Sequence, residues 1–176
     1  MNRAKLGDAD AFTRLVETYY ARCLRFARSM LRNPSDAEDI VQETFARAYG
    51  ALPRYQERQR FEAWLFRILG NCCRNANASA YARVSRRLDD VRAAEAVAVA
   101  PAQAGSAYDW GDAVRRALAE VPEYNREVFL LHYVDGFSYE EIEGMLGIRK
   151  SALKMRAKRA ADQLRASLGS RERAYE

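Results

Sequence analysis

The sequence predicts an all-α fold: two small helical domains joined by a flexible linker, the C-terminal one a helix-turn-helix. Three observations carry this prediction. Apolar residues recur at steps of three and four along nearly the whole chain, the period of one buried helix face. Residues 88–110, "LDDVRAAEAVAVAPAQAGSAYDW", break that rhythm with an Ala-rich run ending in Pro, Gly and Ser. Near the C-terminus a short capped helix, a glycine and a basic amphipathic helix follow in the order of a helix-turn-helix. The domains are placed at 1–87 and 111–176, with 88–110 as linker. A surface helix of a single domain is the competing reading of that middle segment.

The first helix covers 10–31, with Phe12, Leu15, Val16, Tyr19, Tyr20, Leu24, Ala27 and Leu31 at helical spacing. Asn33-Pro34 breaks it, because proline restricts the residue before it and lacks an amide hydrogen. Ser35 and Glu38 read as a capping box opening a second helix. On that helix Val41, Phe45, Ala48 and Leu52 form the core stripe, and Leu52-Pro53 ends it. The polar loop "RYQERQR" leads to a helix starting near Phe61 and running through Trp64, Leu65, Ile68 and Leu69. In the second half, Ala113, Val114, Leu118 and Val121 precede Pro122, and a helix from Glu123 carries Val128, Phe129, Leu131 and Tyr133. "VDGFS" is a turn. Ser138 and Glu141 form a second capping box, Ile142, Met145 and Leu146 follow, and Gly147 suits a left-handed position. In the last helix Leu153, Ala157, Ala160, Leu164 and Leu168 make one narrow apolar stripe.

The 176 residues suffice for one domain or two small ones. No apolar run approaches the ~20 residues that span a bilayer, and the N-terminus lacks a signal-peptide core, so a cytoplasmic protein without membrane insertion is expected. Three cysteines cannot all pair internally, and Cys72-Cys73 read as packing residues rather than redox switches. His132 is the only histidine and no C-x-x-C occurs, so no metal is expected. No nucleophile–base pair or phosphate-binding glycine loop is evident. The expectation is therefore no catalytic residue, no cofactor and no small-molecule substrate.

The net charge of +5 is less informative than its distribution. Residues 36–43 hold four acids and no base, 67–87 hold five arginines and no acid, and "RKSALKMRAKR" at 149–159 holds six bases. Separate basic zones with one acidic face suggest a polyanion and a second, basic partner. Ser151, Lys154, Met155, Lys158 and Arg159 fall on the side of the last helix away from its stripe, where a recognition helix meets the major groove. A solvated basic helix is the plainer alternative. On the acidic helix, Asp36, Asp39, Glu43 and Arg47 share a face with Ile40 close by, either an interface core with a charged rim or an ordinary solvated helix with one exposed Ile. Around residue 60, arginines alternate with Tyr55, Phe61, Trp64 and Phe66; aromatics stack on unpaired bases and arginines track phosphates. For Trp64 and Phe66 a place in the core is the stronger reading, and for the loop from Tyr55 to Arg60 it is less so.

Taken in order, these stretches resemble the extracytoplasmic-function (ECF) sigma factors, two-domain initiation subunits of bacterial RNA polymerase. "GDADAF", "DAEDIVQETFARAY", "FEAWLFRILGN" and "ALAEVPEYNREVFLLHYVDGFSYEEIEGMLGI" with "KMRAKRA" carry the resemblance across nearly the whole chain. It implies that Asp36, Asp39, Ile40, Gln42 and Glu43 dock on the core polymerase. It assigns Tyr55, Arg58, Arg60, Phe61, Trp64, Arg67, Asn71, Arg74 and Asn75 to the −10 element and its melting. Ser151, Lys154, Met155, Arg156, Lys158 and Arg159 are assigned to the −35 element. Core RNA polymerase and promoter DNA are the implied partners, and an anti-sigma factor is a further one. Ala152 stands where many members have Thr, Met155 where a small polar residue is common, and Glu143-Gly144 where a small pair is usual. A stand-alone helix-turn-helix regulator and an RNA-binding helical protein are the competing functions.

Overall fold

The computed structural model describes residues 2–56, 60–91 and 111–172. Among these there are helices and turns and no strand. A first group of helices comprises α1 (Asn2–Lys5), α2 (Ala9–Met30), α3 (Ala37–Ala51) and α4 (Phe61–Val91). A second comprises α5 (Asp112–Glu120), α6 (Glu123–Phe129), α7 (Tyr139–Leu146) and α8 (Lys150–Glu172). The segment read as a linker begins as the last turn of α4; residues 92–110 lie outside the described residues.

In the first group α2, α3 and α4 pack on one another. The stripe of Val41, Phe45, Ala48 and Leu52 is buried as its spacing requires. On α2 the deepest residues are Cys23, Phe26, Ala27 and Met30, while Phe12, Leu15 and Val16 are only partly covered. The entry to α3 differs from expectation. Asn33, not Ser35, caps a short 3-10 turn at Pro34–Asp36, and the N-cap position of α3 is Asp36 without a side-chain cap bond. Ser35 instead donates its hydroxyl to Asp36. The 3-10 turn moves the helix start past Ser35, so Ser35 and Glu38 no longer occupy the N-cap and N3 positions.

In the second group α8 lies against α5, α6 and α7. Leu153, Ala157, Ala160 and Leu164 are buried and Leu168 packs at the end of the stripe. Small Ala residues in that stripe let α8 approach closely. The second capping box forms as read: Ser138 Oγ accepts from the Glu141 amide, and the Glu141 carboxylate accepts from the Ser138 amide at 2.8 Å. Gly147 ends α7 at φ 67°, a left-handed conformation that a β-carbon disfavours. Between α6 and α7 the chain widens into a π-helical turn at Leu130–Val134, and the His132 ring stacks on Tyr139 at 4.0 Å.

The two groups also pack against each other. α4 meets α7, and α2 meets α5 and α6. Phe66 of α4 sits edge-on to Phe137 at 5.2 Å and to Phe26 of α2 at 5.5 Å, so one aromatic column runs through both groups.

Candidate nucleic-acid interface

On α8, burial of the stripe fixes the rotation of the helix. Ser151, Lys154, Met155, Lys158 and Arg159 are consequently exposed along the opposite side. Met155 is 51% exposed, a large apolar side chain amid cations. Lys150 pairs with Glu140 and Lys154 lies 6.0 Å from the centre of the Tyr139 ring, so α7 steadies the first turn of α8. Arg156 departs from its neighbours. It is half-buried with its guanidinium 5.5 Å from the Tyr124 ring, and one of its Nη atoms is buried without a hydrogen-bond partner. The helical period explains this: Arg156 stands three residues after Leu153 and four before Ala160, at the border of the stripe, whereas Lys158 and Arg159 lie well round the helix.

On α3, Asp39, Gln42 and Glu43 are exposed. Ile40 is not the exposed apolar residue anticipated among these acids: it is only 9% accessible and belongs to the core. It borders a groove of about 580 Å³ between α3 and α4 that is also lined by Asp36, Asp39, Ala76, Ser79 and Ala82. Glu43 is paired with Arg47 one turn on, at 2.6 Å. Asp36 accepts from the Asn33 amide at 2.9 Å.

The aromatic-basic segment divides in two. Tyr55 and Phe61 are buried, at 7% and 8%, and with half-buried Trp64 they form a cluster against Tyr19 of α2. Tyr55 therefore belongs to the packing of the loop, contrary to its reading as a loop residue free of the core. Arg58 lies outside the described residues. Along α4, Arg67, Asn71 and Asn75 are exposed at steps of four, a polar line on one face. Arg60 is exposed and pairs with Glu62 and, across the seam, with Glu141 of α7. Arg74 donates to Asn71 within α4 and pairs with Glu127 of α6.

Residues that the periodicity left unmarked complete this seam. Asp135, after the π-helical turn, has a side chain only 1% exposed and faces Arg22 and Arg25 of α2 at 3.4 and 3.2 Å. The Arg22 guanidinium also lies 5.2 Å from Phe66 and 5.8 Å from Phe137. Burial raises the carboxyls of both Asp135 and Glu127 above the ordinary range, against the downward pull of their arginines. Buried Asn77 accepts from the Arg32 amide and donates to the Met30 carbonyl and the Glu123 carboxylate. Arg126, also buried, reaches the carbonyls of Leu118 and Met30. The only sequence signal for these was unusual: acids and an arginine among core residues of the second half.

Among the described residues no group of His, Cys, Asp and Glu could hold a metal, and no helix is long and apolar enough to cross a membrane. All three cysteines are free and buried.

Two family profiles match the chain: Sigma-70 region 2 over residues 15–87 and Sigma-70, region 4 over residues 111–164. The RNA polymerase sigma factor CarQ of Myxococcus xanthus is 35% identical, covering 98% of this chain and 97% of that protein. The ECF RNA polymerase sigma factor SigW of Bacillus subtilis (strain 168) is 30% identical, covering 96% of this chain and 94% of that protein. Among solved structures, CnrH in complex with the cytosolic domain of CnrY superposes with a TM-score of 0.70 at 27% identity, over 96% of this chain and 94% of that one. The sigma factor RpoE in complex with the anti-sigma factor NepR from Bartonella quintana superposes with a TM-score of 0.68 at 28% identity, over 92% and 98% of the two chains.

Proposed function

The chain belongs to the ECF sigma factors, and from that premise we propose how its surfaces divide the work of promoter recognition. It is an alternative sigma factor, directing core RNA polymerase to specific promoters. Its family regulates transcription rather than forming a class of enzymes. Core polymerase and promoter DNA are its partners, and an anti-sigma factor is a third, as for the RpoE solved with NepR. A subunit of the polymerase works where the polymerase works, in the cytoplasm.

Residues 1–87 act as the domain that binds core and reads and melts the −10 element; residues 111–176 read the −35 element. Asp39, Gln42 and Glu43, exposed on α3, dock on a basic surface of the core, with Asp36 and Ile40 at the groove beside them. Interfacial charge of this kind sets orientation and association rate more than affinity. The line of Arg67, Asn71 and Asn75, with Arg60 and Arg74 near it, tracks the −10 strand. Arginines hold phosphates bidentately and amides pair with adenine edges. Arg58 is proposed for the same strand on the family resemblance alone. Tyr55, Phe61 and Trp64 shape the surface from beneath, with half-buried Trp64 the one best placed to meet a base.

On α8, Ser151, Lys154, Met155, Lys158 and Arg159 enter the major groove, and Arg156 supports the helix from within. Lys154, Lys158 and Arg159 supply counterion release and base contacts. Met155 offers an apolar contact, suited to a thymine methyl.

The observation that carries this reading is that one chain exposes an acidic face on α3 and a basic face on α8, on separate halves of the fold. A repressor needs only the second. The test adds the protein to sigma-free core polymerase on genomic DNA and sequences the transcript starts. Promoter-specific starts are expected; their absence with active core would refute the reading.

A further inference from the structure

The N-terminal motif "GDADAF" takes no part in the surfaces described so far, yet it fixes where α1 lies. Gly7 turns the chain at φ 87°, and its amide donates to the Ala4 carbonyl at 3.1 Å. Asp8 caps α2 through the Ala11 amide and accepts from Arg3 Nε at 2.7 Å, so one carboxylate ties α1 to α2. Ala4 is buried, and α1 packs against the 3-10 turn at Leu52–Arg54. The consequence is the position of Lys5: its ammonium lies 5.1 Å from the centre of the Tyr55 ring.

Tyr55 and Phe61 stand at the two ends of the loop that carries Arg58, their rings 6.0 Å apart. The root of that loop is therefore one ring contact wide. Three described cations flank it: Lys5, Arg54 directly before Tyr55, and Arg60 directly before Phe61. Arg60 is engaged by Glu62 and Glu141. Among the described residues no carboxylate pairs with Lys5 or Arg54. Arg54 is exposed and Lys5 half-covered. An aromatic face attracts an ammonium without neutralising it, so the charge of Lys5 is still available to an anion. A lysine head also has three donors, of which the ring cannot use all.

We propose that Lys5 is a further DNA-contacting residue of the −10 surface, delivered by α1. Its ammonium, guided by the Tyr55 ring, takes a phosphate of the non-template strand at the root of the loop, with Arg54 beside it. This rests on the sigma-factor reading and deepens it. It brings the N-terminal helix, which that reading leaves unused, into promoter opening. Lys5 adds affinity for the opened strand and no sequence information, because phosphate contacts position and base contacts specify. The plainer role for Lys5 is as a staple on Tyr55, and salt dependence separates the two.

The test uses holoenzyme assembled from core polymerase and the full chain. Its DNA is a fork: a promoter taken from the mapped transcript starts, duplex upstream, with the non-template strand of the −10 element single. A second DNA is the same promoter cut back to the upstream duplex. Fluorescence anisotropy follows binding to both across a salt series. Lys5→Met keeps an apolar stem on Tyr55 and removes the charge. It should lower the slope of log affinity against log salt on the fork by about 0.7, the value for one phosphate of a single strand. At 0.1 M salt that corresponds to about five-fold weaker binding. Lys5→Arg should restore both. On the upstream duplex Lys5→Met should bind as the parent does, and the melting temperature of the free chain should be little changed. Should Lys5→Met unsettle α1, Lys5→Gln makes the same neutral comparison.

Two results would overturn the proposal. Lys5→Met could leave fork affinity and slope unchanged. It could instead weaken binding with the slope intact, or equally on both DNAs, which would leave Lys5 a packing residue. Promoter-specific transcription by the parent holoenzyme is a separate measurement. Transcripts together with either of these results sink the inference alone; absence of transcripts sinks the sigma-factor reading and this inference with it.

Discussion

Gly70 of α4 lies directly against Glu127 of α6: a β-carbon at Gly70 would come 2.5 Å from Glu127 Oε1 and 3.3 Å from an Arg74 Nη. The glycine is there for close approach, since its φ is not in the left-handed region. In an open helix Gly→Ala gains about 1 kcal/mol. Here Gly70→Ala is expected to lower the stability of the full chain instead. In a Glu127→Ala background the same change should become stabilising by about 0.5–1 kcal/mol, the ordinary helix gain. A double-mutant cycle by urea unfolding checks the change of sign; equal effects in both backgrounds would count against a steric role.

The division of α8 into a buried stripe and an outer face predicts two separable losses. Leu153→Ala, at a side chain with no exposure, should cost about 2–5 kcal/mol. Lys154→Ala and Arg159→Ala should leave the melting temperature nearly unchanged. Each should weaken binding of holoenzyme to a promoter duplex, reducing the slope of log affinity against log salt by about 1. Salt titrations of the three variants distinguish the effects.

Asp39→Lys with Glu43→Lys should weaken association with core polymerase by about ten-fold or more, as rim-charge reversal does at steered interfaces. Folding should be little affected. Asp39 is exposed, and the Glu43–Arg47 pair is a surface pair worth about 0–1 kcal/mol. Competition with the parent chain for limiting core measures the first effect and a thermal melt the second. Unchanged competition would remove α3 from the core interface.

Burial, with Asp135 nearby, pushes the Cys23 thiol up to about 12. Burial likewise raises Cys72 and Cys73, for Cys73 strongly. A thiol reacts as thiolate, so a raised pKa and burial both slow alkylation. The native chain at pH 8 should resist iodoacetamide, and all three cysteines should react in denaturant, as followed by mass spectrometry. Rapid labelling of Cys72 or Cys73 in the native chain would contradict their burial.

Features set by near neighbours were legible in the sequence. The Ser138–Glu141 box, the turn at Gly147 and the stripe from Leu153 to Leu164 depend on residues within a few positions and appear as read. Ser35 and Glu38 satisfied the same local pattern, but Pro34 in the first position of a 3-10 turn shifted the helix start. Ile40 and Tyr55 misled for another reason: local spacing cannot say which partner helix arrives. Ile40 is covered beside the α3–α4 groove and Tyr55 by Phe61 and Trp64. Arg22 and Asp135 lie 113 residues apart, and no periodicity links them. The polar line on α4 and the outer face of α8 were legible as surfaces because helical rotation follows from the buried side. Arg156 was the exception, taken inward against Tyr124.

The narrow stripe of α8 has an evolutionary consequence. Because Leu153, Ala157, Ala160 and Leu164 carry the packing, the outer positions are almost free of folding constraint. Ala152 and Met155 can drift to other residues at little cost in stability, and on the proposal that α8 reads the −35 element each such change would alter which promoters answer. A duplicated copy of this chain could thus acquire a regulon of its own by a few substitutions on one helix face, while its scaffold stayed the same.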